Sequence, residues 1–290
     1  MKYISSIILF VSVIFMLACD KISEPYMNPV EIDADSIKRV LCEEGTASKC
    51  TNCPKGACTL ERLMEEYPEN FIPIAIHSNI MGLDSMYNPA FDGFLPYTEY
   101  GIPCVVIDRK KTSNKVYPAD FDNVKARFVE AMKTVPAVSM NVENVKWEPS
   151  TRKLSYDIKA KVLTFFKGDF RMNSVLTEDS VHGTTSQWNQ ANFYAGSSQE
   201  MCGFEDLPNP IPAADMYYHH VARHIFDGWN GAEGSVPENN LVGDSIVKSY
   251  SYTIPTRWNI KFINIIGFMV NGSDGSIVNA CEKEHVGKKE

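Results

Sequence analysis

Apolar and polar positions change rhythm twice along the chain. Residues 7–17 form a nearly unbroken apolar run, and residues 20–35 are polar with Pro25 and Pro29. From residue 36 to about 135, short apolar blocks alternate with helical periodicity. Val40-Leu41-Cys42, Phe71 to Ile76 and Val105 to Asp108 are short enough for buried strands. Between them Leu60, Leu63, Met64 and Tyr67 recur at helical spacing, and Phe121, Val124, Phe128 and Met132 mark a second helix. Strands alternating with helices predict an α/β domain over 36–135. From Ala137 the period becomes two: Val138, Met140 and Val142, then Leu154, Tyr156, Ile158, Ala160 and Val162. Later candidates are Phe170 to Glu178, Tyr217 to Ile225, Val247 to Ile254, Phe262 to Asn271 and Ser276 to Cys281. About seven short strands with little helix predict an all-β, immunoglobulin-like sandwich over 136–286, with a tail at 287–290. Loops at 196–213 and 228–243 are long enough to carry binding.

The opening residues are a targeting segment. Met1-Lys2 is a short basic start, and the apolar run ends at Met16-Leu17-Ala18-Cys19, too short for a comfortable membrane span. A small residue directly before a cysteine has the form of a bacterial lipobox. Residues 1–18 then read as a lipoprotein signal peptide, Cys19 as the lipidated residue and 19–35 as a tether. A net charge of −8 with 44% apolar residues is globular and lacks the basic footprint of a nucleic-acid binder.

Candidate chemistry concentrates in the cysteines, of which there are eight. Cys50-Thr51-Asn52-Cys53 falls where a loop becomes a helix, and a helix amino terminus lowers the pKa of a nearby thiol. Strand, CxxC and helix in that order form a thioredoxin-like redox motif, with Cys50 the more reactive sulfur. Gly101-Ile102-Pro103, just before the third strand, occupies the place of the cis proline beside such a motif. Cys104 follows, placed either near the motif or in the core. In an exported protein the same cysteines serve equally as structural cross-links: Cys50 with Cys53, and Cys202 with Cys281 in the second domain. Cys42, Cys50, Cys53 and Cys58 could also hold zinc, but a single CxxC in an oxidising compartment argues against a metal, and no cofactor is implied. His220 and His224 share ligand spacing only on a helix, whereas their surroundings alternate as a strand does. His77, at a strand's carboxyl end, could tune a thiol or simply hydrogen bond. No phosphate loop or catalytic triad order is present.

Several blocks taken together resemble the outer membrane protein 28 family of lipoproteins. They are Val40-Leu41-Cys42-Glu43-Glu44, Cys50 to Gly56, Ile72 to Ser78 and Tyr100 to Pro103, then Val175 to Asp179, Tyr218 to Arg223, Trp258-Asn259 and Ile277 to Ala280. The resemblance implies a thioredoxin-like amino-terminal domain on an outer-membrane, lipid-anchored protein. Lys49 stands where redox members of the thioredoxin class commonly carry tryptophan, and Thr51-Asn52 replaces Gly-Pro. The expected function is therefore binding or assembly at the cell envelope, with the membrane, envelope proteins or glycans as partners. The alternative is thiol–disulfide exchange, in which Cys50 attacks, Cys53 resolves and Pro103 presents a backbone edge to substrate. An adhesin-like module using the second domain's loops is a further expectation. Exposure discriminates: an open Cys50 supports exchange, and a buried bridge supports a scaffold.

Overall fold

The computed structural model describes residues 37–110 and 115–287, which belong to one compact unit. The expected signal peptide (1–18), Cys19 and the expected tether (19–35) lie outside the described residues, as do 36, 111–114 and 288–290.

The first half runs β1 (Val40–Thr46), α1 (Cys53–Glu66), β2 (Phe71–His77), a 3-10 segment (Pro89–Thr98), β3 (Cys104–Ile107), β4 (Lys115–Val116) and α2 (Phe121–Met132). β1 and β2 are parallel and connected through α1, while β3 runs antiparallel to β1. Leu60 and Leu63 of α1 and Val124 and Phe128 of α2 bury their apolar faces against Val40, Cys42, Phe71 and Val105 on one side of these strands. The other side, with Leu41, Ile74, Ile76 and Val106, packs on Phe91 and Phe94 of the 3-10 segment.

The second half supplies β5 (Val138–Glu148), β6 (Lys153–Val162), β7 (Phe166–Lys167), β8 (Phe170–Glu178), β9 (Val221–Ile225), β10 (Asn239–Asn240), β11 (Ser245–Thr253), β12 (Ile263–Asn271) and β13 (Ile277–Lys283). β5, β6 and β11 form a three-stranded antiparallel sheet whose inward residues, Leu154, Tyr156 and Ile158 among them, pack on Met172, Leu176, Ile265 and Met269 of β8 and β12. This is sheet-on-sheet packing, as the period of two predicts. The two sheets approach closely at Gly267, where an added Cβ would meet Ile158 at 2.6 Å.

Hydrogen bonding does not stop near residue 136. The large sheet has the order β13-β12-β8-β9-β2-β1-β3-β4 and so runs through both halves of the chain. Its seam is short: β9 meets β2 in parallel at Ala75 and Val221, with the Ala75 N–H donating to the His220 carbonyl at 2.8 Å. Beyond the seam, the Arg39 N–H donates to Asn279 Oδ1, Asn279 Nδ2 donates to the Val138 carbonyl, and the Ile277 N–H donates to the Asp108 carbonyl.

Candidate functional site

β1 extends past the apolar triplet through Glu43, Glu44, Gly45 and Thr46, all buried. Two adjacent carboxyls inside a sheet demand two different solutions, because neighbouring strand positions face opposite sides. Glu43 is paired with Arg109, whose Nε and Nη2 lie 2.7–3.1 Å from its oxygens, while Nη1 donates to the Trp229 carbonyl at 2.7 Å. Glu44 has no paired cation among the described residues. Burial pushes its carboxyl up to about 8 against the opposing hydrogen bond from Thr46, and its Oε1 has no hydrogen-bond partner among the described residues.

α1 stands directly over Glu44. It opens at Cys53-Pro54, a residue pair suited to a first turn because proline has no N–H to satisfy there. Gly56 lets the helix approach: a Cβ at that position would run into the Glu44 carboxylate and lie 2.9 Å from Pro103. Cys50 and Cys53 are disulfide-bonded, with Cα atoms 5.4 Å apart. The Cys50 sulfur lies 3.7 Å from the Ile102 carbonyl, and the Ile102–Pro103 peptide is cis, so Pro103 adjoins the bridge. Glu44, Cys53, His77 and His220 share a cavity of about 70 Å³ behind the turn.

The bridge is closed off from solvent, with Cys50 3% and Cys53 2% exposed. Its roof comes from the second half of the chain. Gln190 Nε2 donates to the Cys50 carbonyl at 2.9 Å, the Ala191 N–H to the Ser48 carbonyl at 2.9 Å and the Phe193 N–H to the Thr51 carbonyl at 2.8 Å. Lys49 is tied to the same segment through the Ser186 and Gln187 carbonyls. Farther along, Cys202 is disulfide-bonded to Cys58 on α1. The expected Cys202–Cys281 closure is therefore corrected. Cys281 is a free thiol buried on β13, pushed up to about 12 by burial, whereas Cys202 lies on the roof segment facing α1. Cys42 and Cys104 are also free and buried, the latter pushed up to about 12 by burial and packed in the same apolar cluster as Cys50. The four cysteines weighed as a zinc set are thus divided between two bridges and a thiol on the α1-facing side of β1, and no group of three or more His, Cys, Asp or Glu among the described residues is placed to hold a metal.

The histidines separate, His220 standing just before β9 with φ of 55° and His224 within it. His220 lies 3.3 Å from Asp179, whereas His224, on β9, stacks on Tyr252 with centroids 4.0 Å apart. His77 Nδ1 pairs with Asp84 at 2.9 Å. Burial acts to raise the Asp84 carboxyl, but the adjacent imidazole and the N–H groups of Ser48 and Met86 outweigh it and hold the group at about 2. Glu44, Gln190, Asp84 and the Cys58–Cys202 pair escape sequence reasoning. Only Glu44 leaves a trace in the sequence, as an acid pair that breaks an apolar strand run.

No family model matches the chain, and no curated protein matches it either. Among solved structures, it is similar to HBP35 of Porphyromonas gingivalis, with a TM-score of 0.60 at 16% identity over 86% of this chain and 76% of that one. It is also similar to protein AGR_C_4864 from Agrobacterium tumefaciens, with a TM-score of 0.51 at 11% identity over 88% and 97%. These two matches establish a shared fold. A domain of the outer membrane lipoprotein Omp28 from Porphyromonas gingivalis aligns over 52% of this chain and 89% of that one at 12% identity, with a TM-score of only 0.28.

Proposed function

We propose that the protein is a lipid-anchored lipoprotein of the outer membrane, built from a thioredoxin-like part and an immunoglobulin-like sandwich, with a binding or assembly role in the envelope. In this reading Cys50–Cys53 is a structural bridge. One observation carries it: the bridge lies beneath residues 190–193, whose backbone and side-chain donors occupy the carbonyls of Ser48, Cys50 and Thr51. An attacking thiolate must reach a sulfur in line with the S–S bond, and a 3% exposed Cys50 offers no such approach. The β1-α1-β2 unit, with antiparallel β3 and Pro103 beside the bridge, supports the thioredoxin-like assignment, and the Ala18-Cys19 sequence supports the anchor.

The test is the reduction of the bridge in the folded chain, equilibrated in glutathione buffers and read by mass spectrometry of alkylated peptides. A structural bridge has a potential below about −300 mV and resists alkylation until the fold is loosened. A potential between about −270 and −120 mV, with Cys50 alkylated first, would overturn the reading. Thiol–disulfide exchange is then the second reading, favoured by Glu44, whose neutral carboxyl shares a cavity with Cys53 and could supply a proton to its thiolate. For the anchor, Cys19→Ala should release the protein from the membrane fraction; continued membrane association would refute lipidation at this residue.

A further inference from the structure

Between residues 85–90 of the first half and the β8, β9 and β11 side of the second lies a cleft of about 890 Å³, within the usual range for ligand sites. One wall is a ladder of rings: Trp258 stacks on Tyr252 at 5.7 Å between centroids, and Tyr252 stacks on His224 at 4.0 Å. Arg223 lies 4.8 Å from the centre of the Trp258 ring and faces Glu178 at 3.0 Å, both charged side chains being nearly buried. Trp188 and Tyr217 also line the cleft, the latter 52% exposed. Trp188 is held in place: its ring covers Gly183, leaving no room for a Cβ there, and its carbonyl accepts the Tyr218 hydroxyl at 2.9 Å.

Two further observations point to a ligand. Arg223 Nε and Glu178 Oε2 face each other as an ion pair, but the Trp258 indole N–H is buried with no hydrogen-bond partner among the described residues, a state that native interiors rarely tolerate. Arg257, also lining the cleft, is exposed and has no ion pair or hydrogen bond among them. Two arginines against one glutamate make the lining positive on a chain whose net charge is −8, so the cleft favours an anion. Its walls favour a polyhydroxylated ring. Aromatic faces pack the C–H faces of a pyranose, and the carboxylate and guanidinium groups meet its hydroxyls. Strand addition by a peptide is disfavoured at this place, because past Val221 the edge of β9 is covered by Asn88, whose Nδ2 donates to the Arg223 carbonyl at 2.9 Å.

We propose that this cleft binds a short acidic saccharide, its ring stacked on the Trp188 and Tyr217 rim and its anionic group held by Arg257. Neither Cys50 nor Cys53 lines the cleft, so saccharide binding is tested apart from the structural-bridge reading.

The experiment displays acidic saccharides, carboxylated and sulfated, beside neutral ones of matched length, and measures retention of the full chain. Retention on acidic members and not on neutral ones is expected. Arg257→Ala and Tyr217→Ala, both at exposed positions, should each weaken it at least tenfold without moving the thermal midpoint, and Arg257→Lys should recover part of the loss. Absence of retention on every acidic saccharide would overturn the proposal. So would equal retention on neutral ones, or binding that neither substitution changes.

Discussion

Removing the Cys58–Cys202 bridge by the double replacement Cys58→Ala/Cys202→Ala tests how the two halves of the chain are held together. The bridge spans a sequence separation of 144 residues. In the chain-entropy account, closing a ring of that size removes about 17 cal/mol/K from the unfolded state, or about 5 kcal/mol at 25 °C. That figure is an upper bound, since residual structure in the unfolded chain already brings the ends closer, and native bridges commonly contribute about 2–5 kcal/mol. Even the lower value is a large share of the roughly 5–15 kcal/mol that holds a typical domain folded. The folded state loses little, because the roof keeps its bonds to Ser48, Cys50 and Thr51. The assay is urea unfolding followed by tryptophan fluorescence, comparing the variant with the parent chain. Stability should fall by about 2–5 kcal/mol, and the denaturant slope should rise because the opened chain exposes more surface. Amide exchange at Ala191 and Phe193 should accelerate beyond the global change. A loss below about 1 kcal/mol with an unchanged slope would show that no ring is closed in the unfolded state.

Two further outcomes follow from the buried charges. Glu44 has a folded pKa near 8 against about 4.3 unfolded, so the folded state binds the extra proton between those values and favours low pH. Relative to Glu44→Gln, the parent chain should lose stability from about pH 4.5 to about 8, by up to about 1.4 kcal/mol per pH unit, and run parallel outside that window; parallel curves throughout would refute the assignment. Arg109→Ala should lower stability by about 3–5 kcal/mol by leaving Glu43 buried without its partner, and Arg109→Met with Glu43→Leu should recover most of it in thermal unfolding. Failure of the double replacement to recover stability would locate the loss in the Arg109 stack on Trp229 instead.

Local periodicity made much of this legible. Leu60, Leu63 and Tyr67 announced α1, the block from Phe170 to Glu178 coincides with β8, and the alternation from Val138 to Val162 marked the β5 and β6 layer. The apolar triplet Val40-Leu41-Cys42 marks only the start of β1, which runs on through the acids to Thr46. Here Arg109, distant in sequence, neutralises one acid, and protonation neutralises the other. The roof was illegible for a similar reason: Gln190 and Cys202 act through partners some 140 residues away, and although Cys202 reads as a bridge cysteine, nothing in its own neighbourhood points to Cys58. The change of period near residue 136 records a change of local structure and carries no information about which strands pair across it.

The short seam between β2 and β9 bears on how the chain can be cut and made. A fragment ending near residue 135 would keep its helices and most of its first core, yet it would present β2 as a bare sheet edge formed entirely by residues buried in the whole chain. An uncovered apolar edge recruits any other strand within reach, including the same strand of a neighbouring copy. During synthesis the first half must wait, with that edge open, for more than eighty further residues before β9 emerges. The chain therefore passes through a stage at which self-association competes with completion of its own sheet.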